Sequence, residues 1–218
     1  MTETIQRIWI FANGGIPDIE RLRGLIQPGD RLIAADGGCH PMRKMGLTPE
    51  RVIGDLDSLL PEEIEQLARS GVPLERYPVD KDETDLELAI NRALSTGFDE
   101  LRIAGALGGR LDQSLSNLFL LARPELLGKD VRLEDGTEQV FLIRDQAEID
   151  GRAGDTVSLL PLNGPVQGVV TSGLKYPLHG ETLLQERTRG ISNVLLAEHA
   201  QVQITSGVLI CILRRLYR

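Results

Sequence analysis

The period of the apolar residues changes once along this 218-residue chain, and that change limits the possible folds more than any single motif does. Up to about residue 135, short apolar runs alternate with helical patterns, the sequence form of a mostly parallel sheet covered by helices. Strands are expected at Arg7 to Ala12, Arg31 to Ala35, Arg51 to Gly54, Leu74 to Pro78 and Glu100 to Gly105, and helices near 17–27, 39–45, 61–70, 84–96 and 112–127. The fourth helix is the clearest. Thr84 to Glu87 form an S/T-x-x-E capping box, Leu86, Ile90, Ala93 and Leu94 recur at helical spacing, and Gly97 stops the pattern. After about residue 137 the helical pattern disappears. Short β-like runs follow at Gln139 to Ile143, Thr156 to Leu160, Val166 to Thr171, Thr182 to Gln185, Asn193 to Ala197, Val202 to Thr205 and Val208 to Leu213, and Ser206-Gly207 is a candidate hairpin turn. The expected architecture is an α/β domain over residues 1–135, an N-terminal mostly parallel sheet with flanking helices, followed by a small all-β sandwich domain over residues 136–218.

Composition removes several function classes. A net charge of −8 and a pI near 5.0 argue against nonspecific binding to nucleic acid or an anionic membrane, since both need a basic surface. Cys39 and Cys211 lie far apart and outside any C-x-x-C pattern, so they read as two reduced thiols. The N-terminal Met1-Thr2-Glu3-Thr4 lacks a basic region followed by an apolar stretch, and no run of about 18 apolar residues occurs. A cytoplasmic protein is expected. His40, His179 and His199 lack zinc-ligand spacing, no G-x-S-x-G elbow is present, and Trp9 sits in an apolar run as a core residue would.

The expected strands of the first half end in polar and glycine residues with no packing role. These are Asn13-Gly14-Gly15, Asp36-Gly37-Gly38, Gly54 to Ser58, Asp80 to Asp85, and Gly105 to Asp112. In a parallel α/β sheet such ends share one edge, where these folds bind ligands. In extended chain Asp55 and Asp57 project to the same side and are placed to share a hard cation such as Mg²⁺. The alternative is a turn in which one of them caps the following helix. Thr84 and Asp85 have a capping explanation, whereas Asp80 and Asp82 do not. The glycines from Gly105 to Gly109 let backbone N–H groups approach phosphate at a helix N-terminus, and Arg110 suits a polyphosphate. Neither a Walker A motif nor a G-x-G-x-x-G fingerprint is present. Read without a ligand, the same segment is a flexible loop with Asp112 as an N-cap.

At these residues the sequence resembles the thiamine pyrophosphokinase family. The segments that carry the likeness run in order: Ala35 to Gly38, Val52 to Ser58, Asp80 to Asp85, Gly105 to Gln113, Thr171 to Leu178, and Ile191-Ser192-Asn193. The resemblance implies an α/β nucleotide-binding domain, a β-sandwich, and a homodimer with active sites between subunits. It also implies transfer of a diphosphate from ATP to the hydroxyl of thiamine, with AMP as the other product. Asp55, Asp57 and Asp82 are then the Mg²⁺ ligands, with Asp36, Gly37 and Asp85 close to the polyphosphate. Gly108, Gly109, Arg110 and Asp112 form the ATP loop, with Arg110 also catalytic, and Tyr176, Ser192 and Asn193 belong to the thiamine pocket. The pair Cys39-His40 departs from the family pattern. Two rival readings stay open: a pyrophosphokinase acting on a hydroxymethylpterin, and a non-catalytic nucleotide sensor.

Overall fold

The computed structural model describes residues 5–216, so Met1 to Thr4 lie outside the described residues. Two compact units meet in sequence at Gly136 and Thr137. The first carries six strands, β1 (Arg7–Phe11), β2 (Arg31–Ala35), β3 (Arg51–Gly54), β4 (Leu74–Arg76), β5 (Glu100–Ala104) and β6 (Asp130–Glu134), in the order β6-β5-β1-β2-β3-β4. Every neighbouring pair among them is parallel. Strand β6 was not expected, because its sequence, Asp-Val-Arg-Leu-Glu, is only half apolar.

The central strands β1 and β2 are apolar on both faces, as a covered parallel sheet requires. In β1 the side chains still alternate. Trp9 and Phe11 enter a cluster with Leu22, Met42, Met45, Val52 and Leu59, which lines the face covered by α1 (Ile19–Leu25), α2 (Cys39–Lys44) and α3 (Pro61–Arg69). Ile8 and Ile10 are fully buried as well. Helix α4 (Asp85–Thr96) buries Leu86, Leu88, Ala89, Ile90 and Ala93 and packs against β1, β2 and β3. Thr84 caps it by accepting from Glu87 N at 3.2 Å, as its sequence predicted. Helix α5 (Leu111–Leu120) is shorter than expected, because the chain turns out of it near Leu121 and makes a 3-10 turn at Pro124–Leu126.

Buried polar groups fix the lower end of β1. The Asp30 carboxylate accepts from Arg7 Nε and Nη2, each at 3.0 Å, from Trp9 Nε1 at 2.9 Å and from Gln27 N at 2.8 Å. Its side chain is nearly enclosed, so these bonds satisfy a buried carboxylate, while Arg7 also reaches Glu100 at 3.6 Å.

The second unit is a sandwich of two antiparallel four-stranded sheets. One has the order β12-β9-β14-β7, from β7 (Glu138–Ile143), β9 (Thr156–Pro161), β12 (Asn193–Val194) and β14 (Leu209–Arg214). The other has the order β11-β10-β13-β8, from β8 (Gln146–Asp150), β10 (Val166–Ser172), β11 (His179–Leu183) and β13 (His199–Gln203). Ile143, Leu159, Leu209, Cys211 and Leu213 of the first meet Ile149, Val166, Val169, Leu183 and Val202 of the second in one core. Ser206-Gly207 does not close a hairpin: β13 pairs with β10 and β8, whereas β14 pairs with β7 and β9, so the turn carries the chain between sheets. Strand β8 escaped the sequence reading because only Ile149 of its five residues is buried. No described helix is long and apolar enough to cross a membrane.

Two tests follow from this packing. Asp30→Ala strands the Arg7 and Trp9 donors and is expected to cost about 2–4 kcal/mol of unfolding free energy, measured from urea midpoints at constant slope; a cost under about 0.5 kcal/mol would refute the role given to Asp30. In the sandwich, His199 Nδ1 lies 2.7 Å from Asp150 Oδ1 on the neighbouring strand. That hydrogen bond first, and then the charges of Asp150, Glu148 and Glu198, raise the imidazole above its ordinary value of 6.5. A raised folded-state pKa means a stabilisation that is present below 6.5 and lost as pH rises through the higher folded value. An NMR titration should place the His199 midpoint above 6.5, and Asp150→Asn should bring it down.

Candidate active site

Strands β2, β3 and β4 follow β1 toward one edge of the sheet, whereas β5 and β6 lie on its other side. The strand order therefore reverses between β1 and β5, and the loops leaving their C-terminal ends must part. They part around glycine. Ala12 N donates to Ala104 O and Gly14 N to Gly105 O, both at 2.8 Å, and a Cβ on Gly105 (φ +67°) would stand 2.4 Å from Ala12 O. A crevice of about 870 Å³ opens there, lined by residues from the ends of β1, β2, β3 and β5 and from the first turns of α4 and α5.

Asp36 leaves β2 in a 3-10 turn with φ of +44° and is buried to 5% exposure. Its Oδ1 is enclosed without a hydrogen-bond partner. Asp55 and Asp57 follow β3, but not in the extended chain that their spacing suggested. Leu56 between them is left-handed (φ +66°), and Asp57 N donates to Asp55 Oδ1 at 3.1 Å. Such a backbone costs a non-glycine residue about 1 kcal/mol, offset here by burial of the Leu56 side chain to 3% exposure. Neither aspartate caps α3, which is entered through Leu60 with Glu63 accepting from Leu60 N. One carboxylate oxygen each from Asp36, Asp55 and Asp57 lie within 4.8 Å of one another.

Lys81 answers part of this negative charge. Its Nζ donates to Asp55 Oδ2 at 3.2 Å and to Pro78 O at 3.1 Å, and it stands 3.1 Å from Asp85 Oδ1 in an ion pair without hydrogen-bond geometry. The two aspartates respond in opposite directions. The Asp57 N–H, and then Lys81, hold Asp55 below the usual carboxylate range, while burial lifts Asp85 against the pull of Lys81. Burial acts to lower the Lys81 ammonium, but Asp85 and Asp55 outweigh it and the pKa is raised. Gly54 makes room for the group, since a Cβ there would meet Asp85 Cγ at 2.9 Å and Asp36 Cβ at 3.0 Å. Asp82 is exposed and lies outside both the carboxylate trio and the crevice lining.

Across the crevice, Gly108 and Gly109 have φ of +80° and +67° and lead through Arg110 into α5. Two residues of that helix hold the loop from behind. Ser114 Oγ donates to Gly108 O at 3.0 Å, and Asn117 Nδ2 donates to Ala106 O at 2.9 Å. Asp112 is not the N-cap; the cap position is Arg110, whose Nε and Nη2 donate to Asp112 at 3.2 and 2.5 Å. This exposed pair leaves Arg110 with further N–H donors. Gly37 also lies beside the site, with no space for a Cβ against the Asn13 side chain. Cys39 is no nucleophile: burial first, and Asp36 next, push its thiol up to about 12.

Residues expected to bind substrate in the sandwich gather around one amide. Asn193 is buried to 6% exposure; its Oδ1 accepts from Tyr176 N at 3.0 Å and its Nδ2 donates to Tyr176 O at 2.7 Å. Asn193 thus presents Tyr176, whose ring is exposed with Lys175 Nζ 5.4 Å from its centre. Ser192 is exposed, left-handed (φ +55°), and donates from its N–H to Ser158 Oγ.

The sequence reading missed Lys81, Ser114, Ser116 and Asn117 as parts of the site. Lys81 carried a signal, being the one cation in the acidic run from Asp80 to Asp85. Ser114 and Asn117 stand one turn apart after the glycine loop, which marks a helix face without saying what it touches, and Ser116 carried no signal of its own.

Comparison with known proteins places the whole chain beside one family. Residues 22–133 match the family model described as "Thiamin pyrophosphokinase, catalytic domain", and residues 143–209 match "Thiamin pyrophosphokinase, vitamin B1 binding domain". The thiamine pyrophosphokinase of Bacillus subtilis (strain 168) is 28% identical over 211 residues, covering 95% of this chain and 98% of its own. Its crystal structure superposes with a TM-score of 0.88 at 26% identity, over 97% of this chain and 100% of that one. A thiamin pyrophosphokinase structure from Geobacillus thermodenitrificans gives 0.85 at 26% identity, over 97% and 98%. A catalytic-domain match over half the chain, followed in order by the binding-domain match, establishes that this chain belongs to the thiamin pyrophosphokinase family.

Proposed function

We propose that the protein is a Mg²⁺-dependent thiamine diphosphokinase, transferring a diphosphate from ATP to the hydroxyl of thiamine and releasing AMP. The observation that carries this reading is the crevice at the strand reversal, lined both by a carboxylate trio, buried at Asp36 and open at Asp57, and by a glycine loop at a helix N-terminus. The buried, unpartnered Asp36 Oδ1 and its two carboxylate neighbours suit a hard oxygen-ligated cation. When bound, Mg²⁺ supplies neutralisation of phosphate charge. Asp36, Asp55 and Asp57 would hold it, and Asp82, a few residues before α4, is the ligand the family resemblance adds.

The residues of the chain do the rest by position and charge. N–H groups of the Gly108-Gly109 loop and the free donors of Arg110 face the polyphosphate, and Asp112 orients the guanidinium. The thiamine hydroxyl attacks the β-phosphorus in line and gives up its proton to water, the bond from the β-phosphorus to the oxygen bridging it to the α-phosphorus breaks, and AMP leaves with that oxygen. Tyr176, with Ser192 beside it, offers an aromatic face to the thiamine rings, and Asn193 fixes the backbone that presents it. The vitamin B1 binding domain match over this region favours thiamine over a hydroxymethylpterin.

The proposed assembly is a homodimer. Leu111, Leu115 and Phe119 recur at helical spacing on α5 and are 72%, 45% and 54% exposed, an apolar stripe beside the ATP loop suited to a second copy. The proposed setting is the cytoplasm, where the buried thiols of Cys39 and Cys211 stay reduced.

Incubated with ATP, Mg²⁺ and thiamine, the protein should form thiamine diphosphate and AMP in equal amounts; ADP as the nucleotide product would mean single phosphoryl transfer and overturn the reading. Asp57→Asn should lower kcat at least about 100-fold with an unchanged circular dichroism spectrum. Near-normal turnover across a Mg²⁺ titration would remove Asp57 from the site. For the dimer, Asp57→Asn and Tyr176→Ala chains, each nearly inactive alone, should regain up to roughly a quarter of wild-type activity after subunit exchange, because one composite site in each mixed dimer carries neither lesion. No recovery after verified exchange would show that each site is built within one chain.

A further inference from the structure

Lys81 is ion-paired with two carboxylates of the crevice at once, bridging Asp55 and Asp85. Its role deepens the metal-dependent reading above and rests on it. We infer that Lys81 is a built-in counter-cation that competes with the divalent metal for Asp55, and releases it when nucleotide phosphates offer the ammonium new partners.

Both Asp55 oxygens are engaged, Oδ1 by Asp57 N and Oδ2 by Lys81 Nζ. A cation ligated through Oδ2 would stand beside an ammonium only 3.2 Å from that oxygen, and like charges so close repel. Asp36 Oδ1 has no such occupant. The trio is therefore blocked at one member by a positive charge of the chain itself. The block is also free to move. Lys81 lies in the connection between β4, ending at Arg76, and α4, beginning at Asp85, where Pro78, Val79, Asp80, Asp82 and Glu83 are all exposed. Besides the carboxylates, its ammonium is held by Pro78 O of the same connection, so the segment can shift as one piece with no core to disrupt. Polyphosphate entering between the glycine loop and the trio brings oxygens that can replace Asp55 and Asp85 around Nζ. Metal and nucleotide then bind with positive coupling, each removing an obstacle to the other.

The experiment titrates Mn²⁺ alone, by its electron paramagnetic resonance signal, into wild type, Lys81→Gln and Lys81→Arg. Lys81→Gln should bind Mn²⁺ roughly fivefold or more tightly than wild type, and Lys81→Arg should stay within about twofold of it. A non-hydrolysable ATP analogue should tighten Mn²⁺ binding in wild type by a larger factor than in Lys81→Gln. Equal or weaker Mn²⁺ binding by folded Lys81→Gln would overturn the inference and leave Lys81 a static bridge. A wild-type measurement guards against a variant that fails to fold. Acylation of Lys81, quantified by mass spectrometry with Lys44, Lys129 and Lys175 as internal references, should rise on saturation with Mn²⁺ alone, which displaces the amine from Asp55, and fall when the analogue is then added and its phosphates engage the amine. No change at any concentration would equally overturn the inference. A wild type that binds Mn²⁺ but transfers no diphosphate to thiamine would instead sink the proposed function alone.

Discussion

The parallel pairing of β1 with β2 on one side and β5 on the other is the constraint on which the site depends. It places the strand reversal at β1, so the loops after β1 and β5 leave in different directions from adjacent strand ends. Two backbone hydrogen bonds beyond the strands, from Ala12 and Gly14, hold those loops together just before they part. A side chain at Gly105 would strike the Ala12 carbonyl, so glycine there is a condition of the crevice and not merely of the turn. The apolar clusters on the two sheet faces supply the rigidity, and the Asp30 carboxylate fixes the far end of β1 through Arg7 and Trp9.

Charge is the second organising element. Concentrating Asp36, Asp55, Asp57 and Asp85 at one sheet edge is unfavourable unless something positive stands among them. The chain supplies one ammonium, the N-terminal end of α4, and the Asp57 N–H, and Asp55 and Asp85 are driven apart in pKa by where each lies relative to these. Asp36 receives none of this help at Oδ1. An enclosed, unpaired carboxylate oxygen is costly to keep, which fits a site arranged for a ligand more than for stability. Arg110 is balanced differently, by its near neighbour Asp112 in solvent, where the pairing contributes little to stability and keeps the guanidinium oriented.

In the sandwich, one buried amide anchors the backbone of an exposed aromatic residue. The Asn193 side chain binds both the N–H and the C=O of Tyr176, replacing a missing strand partner for that segment. The residue named by motif is thus buried, and the Tyr176 ring whose backbone it holds is the exposed part.

The sequence by itself determined a good deal. The change of apolar period divided helices and parallel strands from the antiparallel strands near residue 137, because periods of 3.6 and 2 are printed locally in the chain. Thr84 announced the α4 cap, and the glycine and aspartate segments were legible as strand-end loops. Strands β6 and β8 were not legible, since tertiary pairing holds them with little apolar alternation of their own. Only tertiary structure joined Asp36 to Asp55 and Asp57, gave Leu56 its left-handed turn, left Asp82 at a distance from the trio and set Lys81 between two carboxylates. The physical reason is common to all four. Local propensity depends on neighbours along the chain, whereas a charge cluster depends on which strand ends the sheet order brings side by side, and that order is written nowhere in a single segment.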